Sequence, residues 1–155
     1  MSAGAVLDAA RAQGVMLAAA ESCTGGMIMA ALTAVPGSSS VVDRGFVTYS
    51  NAAKCQMLGV SPATLDAHGA VSEPIAHEMA AGALARSEAG IAVAVTGIAG
   101  PGGSEHKPEG RVCFGLADEH GVVTETVEFG AIGRDAVRAA TVEHALAMVL
   151  ARLRA

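Results

Sequence analysis

The sequence predicts a single α/β domain, with helices packed on both faces of a mixed, mostly parallel sheet in three layers. Three observations predict it. Short buried-strand patterns alternate with segments that start on helix caps and stop on glycine. The chain then finishes with two β-rich runs across a turn, an antiparallel pair, followed by a helix. Its 155 residues are the length of one ordinary domain, and no repeat, linker or low-complexity stretch divides them, so the domain spans 1–155.

The elements follow in order. MSAGAVLDAARAQG reads as a helix, with Ser2 as N-cap and Gly14 as its stop. Residues 15 to 20 read as a short buried strand, although alanines favour strand weakly. Residues 24 to 34 read as a helix, with Thr24 near its start and Pro36-Gly37 closing it. VVDRGFVTY, 41 to 49, carries β-branched and aromatic residues and reads as strand, with a bulge or kink at Gly45. Residues 51 to 58 form a short helix ending at Gly59. Ser61-Pro62 opens another, with cap and first-turn proline in their favoured places, and Ser72-Glu73-Pro74 opens a longer one to about Ser87. IAVAVTG, 91 to 97, is a buried strand, followed by a long Gly/Pro loop to 110. RVCFGLA and VVTETVEF pair antiparallel around residues 119 to 121, and 133 to 153 form the last helix.

Composition bounds the function. Apolar residues make up 52% of the chain but aromatics only 3%, so the core is built from Ala, Val, Leu, Ile and Met. A formal charge of −5, with 10 basic residues in no stripe, argues against nucleic acid as partner. Three cysteines without CxxC spacing fit the reduced thiols of a cytoplasmic protein. No apolar run reaches the ~18 residues of a membrane span. The N-terminus lacks a basic region ahead of an apolar core, so it does not read as a secretory signal. The expected partners are therefore a small-molecule substrate and, from helices rich in Ala and Met, further copies of the chain in a homo-oligomer.

Four features carry candidate chemistry. AAAESCTGG, 18 to 26, puts two hydroxyls, a thiol and a carboxylate where a strand turns into a helix. Ser22 there is either a nucleophile, with following N–H groups and a helix N-terminus facing its oxyanion, or a helix cap together with Thr24. Gly25 and Gly26 permit close approach of a substrate to the backbone. Cys23 is either an alternative nucleophile or a small buried side chain. Lysine is scarce: of the two, Lys54 sits on the first turn of a helix in YSNAAK, 49 to 54. The helix dipole and burial would both disfavour its charge, making it a base, or else its stem snorkels to solvent. TGIAGPGGS, 96 to 104, offers N–H groups to an anion or is a plain surface loop; it matches neither the P-loop nor GxGxxG. Arg134 and Arg138 share a face of the last helix with Ala145, Val149 and Leu153, so they project at the edge of the core, where the guanidiniums either bind an anion such as a phosphate or pair with Asp135 or Glu143, neither of which lies on this face. The loops at 21 to 26 and 97 to 104 both leave strand ends and are placed to face one crevice. Among the five histidines none has metalloprotease or zinc-ligand spacing, His77-Glu78 included.

AESCTGG, PGSSSVVDRGFVTYSNAAKCQMLGV, GAVSEP and AVAVTGIAGPGGSEHKPEGRVCFGLA, in that order, resemble the CinA C-terminal domain family over about residues 5 to 150. The likeness is to its stand-alone members, which lack the N-terminal domain of larger ones. The resemblance implies hydrolysis of the carboxamide of nicotinamide mononucleotide to nicotinate mononucleotide and ammonia, by a Ser-Lys pair, without metal or cofactor. Carried over by position, Ser22 is the nucleophile and Lys54 the base, with Tyr49 beside them in a proton relay. Cys23, Thr24, Gly25 and Gly26 follow the nucleophile, their N–H groups and the Thr24 hydroxyl holding the oxyanion. Ser50 and Asn51 flank the lysine motif on the substrate side. Thr96, Gly97, Gly100 and Pro101, with Arg134 and Arg138, would hold the ribose phosphate, although only RDAVR of GAIGRDAVR matches the family pattern.

Two rival readings remain at this point. One is a nucleotide-sensing or interaction module without catalysis, which has no need of an intact Ser22/Lys54 pair. The other is a thiol amidase using Cys23, for which Ser22→Ala would be harmless. An oxidoreductase is disfavoured by the missing dinucleotide fingerprint.

Overall fold

A computed structural model describes residues 3–155; Ser2, the expected cap of the first helix, lies outside the described residues. The order is α1 (Ala3–Gln13), β1 (Leu17–Glu21), α2 (Met27–Thr33), a 3-10 turn (Ser38–Ser40), β2 (Val42–Val47), α3 (Asn51–Leu58), α4 (Pro62–His68), α5 (Glu73–Ala85), β3 (Ile91–Gly97), β4 (Arg111–Asp118), β5 (Gly121–Glu128) and α6 (Arg134–Leu153). The sheet runs β2-β1-β3-β4-β5. β1 lies parallel to both β2 and β3, while β3–β4 and β4–β5 are antiparallel. The expected three-layer α/β domain with a mixed sheet is the observed one.

Two apolar layers enclose the sheet. On one face Val6, Leu7, Ile28, Leu32, Val137, Leu146 and Val149 of α1, α2 and α6 pack on Leu17, Val93, Val95 and Phe114. On the other, Leu58, Ile75, Met79 and Ala83 of α3 and α5 pack on Ala18, Ala20, Ala92 and Ala94. Alanine makes β1 and β3 thin on this second face, which lets α5 sit close. Burial on both faces overrides alanine's weak strand preference, which explains why β1 forms at all.

Three sequence expectations are corrected. β1 starts at Leu17 and extends to Glu21, so the carboxylate belongs to the strand. α2 starts at Met27 rather than residue 24, because Gly25 and Gly26 take φ of 57° and 108° and break the helical path. The bulge in β2 is at Asp43, not Gly45: Leu17 pairs with Val42 and Ala18 with Arg44, leaving Asp43 extra. Asp43 Oδ2 accepts from Arg44 Nε at 2.7 Å and from the Glu88 N–H at 2.9 Å, which holds the bulge. Gly45 stays in register, and its role is space: a Cβ there would collide with Met29 Cγ of α2.

The three parallel strands β1, β2 and β3 end at the same edge of the sheet. Ser22, Thr48 and Ile98 follow them directly, so three loops open on one crevice, as expected for an open α/β sheet. No helix among the described residues is long and apolar enough to cross a membrane.

Candidate active site

Lys54 is the fourth residue of α3, which Ser50 caps by accepting the Ala53 N–H at 3.0 Å. Helical side chains lean toward the N-terminus, so Lys54 reaches back beneath the end of β2. Its residue is 1% exposed, the largest of the fully buried side chains. Nζ lies 2.9 Å from Ser22 Oγ, 2.9 Å from the Thr48 carbonyl and 3.3 Å from the Tyr49 carbonyl. Burial lowers its pKa from the ordinary 10.5, and the nearby Cys23, Cys55 and Glu105 groups oppose that shift only in part. Carbonyl oxygens only accept hydrogen bonds. In the neutral form of the amine, two N–H bonds would serve the Thr48 and Tyr49 carbonyls and leave the lone pair for the Ser22 hydroxyl.

The turn after β1 is built by a buried carboxylate. Glu21 is fully buried, and Oε1 accepts from Thr24 Oγ1 at 2.5 Å, the Gly26 N–H at 3.2 Å and the Ile28 N–H at 2.9 Å. Oε2 accepts from the Met29 N–H at 3.1 Å. Glu21 thus occupies the N-terminus of α2, and that dipole is not directed at Ser22 as the sequence reading expected. Neither Ser22 nor Thr24 is the helix cap; the position is held by Gly26. The one hydroxyl hydrogen of Thr24 goes to Glu21, so the hydroxyl is no oxyanion donor.

The backbone of the same turn has two N–H groups that no backbone oxygen among the described residues takes, of which the Cys23 N–H lies against its own thiol. Gly25 N–H donates to the Ser22 carbonyl at 3.2 Å, and Arg138 donates to the Cys23 carbonyl through Nε at 3.0 Å and to the Thr24 carbonyl through Nη2 at 3.3 Å. In a planar trans peptide N–H and C=O point opposite ways. Fixing the Ser22 and Cys23 carbonyls therefore turns the N–H groups of Cys23 and Thr24 away from Gly25 and Arg138. Neither donates to a backbone oxygen among the described residues. Cys23 itself is 5% exposed, and burial pushes its thiol up to about 12. A neutral thiol is a poor nucleophile.

Ser22, Cys23 and Lys54 open into a pocket of about 360 Å³, within the range of about 300–1,000 Å³ common to small-molecule sites. Its far wall is the loop after β3, residues 98–105, and Asn51, Ala70 and Val71 close its sides. Arg134 stands at its mouth, donating to the Gly100 carbonyl through Nη1 at 2.6 Å and to the Tyr49 hydroxyl through Nη2 at 3.0 Å. Guanidinium has five N–H donors, so donors remain for an anion.

Most of the residues singled out from sequence come together here. Ser22, Cys23, Tyr49, Asn51, Lys54, Thr96, Gly97, Gly100, Pro101 and Arg134 all line the pocket. Thr24, Gly25, Gly26, Ser50 and Arg138 do not; they shape the turn or cap α3 from behind. Tyr49 reaches Lys54 through its carbonyl, while its phenol, in a residue 62% exposed, bonds Arg134. The relay expected of Tyr49 has no hydrogen bond from the phenol to Lys54 or Ser22 among the described residues. Sequence reasoning missed the role of Glu21. The signal was present: a carboxylate ending an apolar buried strand must be matched by donors. Glu105, also a lining residue, carried no such signal.

The sequence profile of the CinA C-terminal domain family matches residues 2–153. A relative from Enterobacter agglomerans named nicotinamide-nucleotide amidohydrolase PncC is 54% identical over 132 residues, covering 84% of this chain and 80% of that protein. A relative of the same name from Shewanella oneidensis is 53% identical over 126 residues, covering 81% of this chain but only 30% of that longer protein. The chain therefore spans under a third of the length of some relatives it matches. Among solved structures, the competence/damage inducible protein CihA from Agrobacterium tumefaciens superposes with a TM-score of 0.90 at 50% identity, covering 100% of this chain and 99% of that one.

Proposed function

The chain belongs to the CinA C-terminal domain family, and on that premise we propose that it is a nicotinamide-nucleotide amidohydrolase working through a Ser22–Lys54 dyad. The observation that carries the reading is the buried 2.9 Å contact between Lys54 Nζ and Ser22 Oγ at the floor of the pocket. The substrate is nicotinamide mononucleotide, and the products are nicotinate mononucleotide and ammonia, in pyridine nucleotide recycling.

The steps follow from the geometry. Neutral Lys54 accepts the Ser22 proton as Oγ attacks the carboxamide carbon. The N–H groups of Cys23 and Thr24 hold the oxyanion, while Glu21 and Arg138 keep the turn in place from behind. Protonated Lys54 gives its proton to the amide nitrogen, the C–N bond breaks, and ammonia leaves an ester on Ser22. Water, deprotonated by Lys54, attacks that ester and releases the carboxylate. Arg134 and the loop 98–101 receive the phosphate, and Tyr49 orients Arg134. The buried, neutral Cys23 thiol speaks against the thiol amidase.

Ammonia release from nicotinamide mononucleotide, with EDTA present, tests the reading. Wild type should release it, and Ser22→Ala should lose at least about a thousandfold while remaining folded. Full activity in Ser22→Ala sinks the dyad. Nucleotide binding without any ammonia from wild type would favour the sensing module instead.

A further inference from the structure

Glu105 is the charged pocket group that the steps above leave without a task. Ser104 and Lys107 form an isolated bridge, their N–H groups donating to each other's carbonyls at 3.0 and 2.8 Å. Glu105 and His106 are the two central residues, with φ of 51° and 64°. Both positive values mark the tight hairpin turn that Asn-Gly ordinarily fills. Two L side chains hold it here against steric preference, and such outliers gather at functional sites.

The turn carries the Glu105 carboxylate back over the site. Oε2 packs on the Gly69 backbone, in the space that a Cβ on Gly69 would take. The residue lines the same pocket as Ser22, Lys54 and Arg134, and its charge acts on Lys54. No hydrogen bond or ion pair uses its carboxylate among the described residues. The pocket thus holds a carboxylate, with the Lys107 ammonium beside it at Gly69, and a guanidinium at its mouth. That arrangement fits a ligand with one fixed cation and one anion.

Resting on the reading that the substrate is a pyridine mononucleotide, we propose that Glu105 is a specificity-determining residue, the counter-charge for the pyridinium ring. The ring nitrogen is two bonds from the carbon that bears the carboxamide. With Ser22 facing the carbonyl carbon, the ring cation must therefore lie inside the pocket. Arg134 recognises any phosphate and is blind to the charge of the ring. Only a carboxylate discriminates the cationic, ribosylated ring from a neutral one.

The test compares wild type with Glu105→Gln, which keeps shape and loses charge. The ligands are nicotinamide mononucleotide and its 1,4-dihydro form, whose ring is neutral. Glu105→Gln should raise KM for the cationic form about tenfold, the size of one Coulomb contact in a half-open site, with a smaller change in kcat. Calorimetric affinity for the dihydro form should stay the same. Equal weakening of both ligands, or no change in either, overturns the proposal. The two readings fail separately. Wild type that prefers the cationic ring but releases no ammonia defeats the amidase alone. Ammonia release with identical KM in both proteins defeats the role of Glu105 alone.

Discussion

Glu21→Gln is the sharpest test of how the nucleophile turn is built. The amide keeps one acceptor oxygen and replaces the other by NH2. The oxygen belongs where Oε1 was, since that atom takes three bonds, from Thr24, Gly26 and Ile28. The NH2 then faces the Met29 N–H, formerly bound at 3.1 Å, donor against donor. An orphaned buried donor costs about 1–3 kcal/mol. Loss of the charge at the start of α2 adds roughly 0.3–2 kcal/mol. Relief of carboxylate desolvation works the other way. The expected net loss is about 2–4 kcal/mol, which a domain with about 5–15 kcal/mol of stability survives. Urea unfolding followed by far-UV circular dichroism reads it, beside ammonia release per folded molecule. Activity should fall too, because the turn that presents Ser22 and two N–H groups loosens, although the substituted side chain would touch no substrate. Stability within about 0.5 kcal/mol of wild type, the scatter of a neutral surface change, would refute the reasoning.

Two further predictions concern the site itself. The folded pKa of Lys54 lies below its unfolded value of 10.5. Between the two values the unfolded chain binds more protons, so stability rises with pH in that window. Wild type should therefore gain stability relative to Lys54→Met as pH rises from neutral toward 10.5, and kcat/KM should climb through a midpoint below 10.5. A stability gap that is flat or shrinks with pH would show that the amine is not held neutral. Lys54→Met should also cost activity by about 100- to 10,000-fold, the scale of a general base. The Cys23 thiol is neutral and buried, so Cys23→Ala should stay within a few-fold of wild-type activity, and iodoacetamide should spare Cys23 in the folded protein while Cys55 is open to it. Inactivation that tracks alkylation of Cys23 would revive the thiol route.

What the sequence determined by itself was the local structure. α3 from Asn51 to Leu58 and β3 from Ile91 to Gly97 match their sequence limits, because caps, glycine stops and apolar runs act over a few neighbouring residues. The family motifs likewise picked out Ser22 and Lys54 as a pair. Tertiary structure decided everything that depends on distant partners. The start of α2 moved to Met27 because Glu21, on the preceding strand, captures its N–H groups. The bulge fell on Asp43 because Gly45 has to face Met29. Arg134 and Arg138 look equivalent on a helical wheel, yet one opens on the pocket and the other grips the back of the nucleophile turn. The basicity of Lys54 is of the same kind. Its spacing in YSNAAK suits a solvent-facing lysine equally well, and only the packing of β1, β2 and α3 around Nζ removes water and leaves Ser22 within reach. Burial is a property of the assembled layers, so no window of sequence contains it.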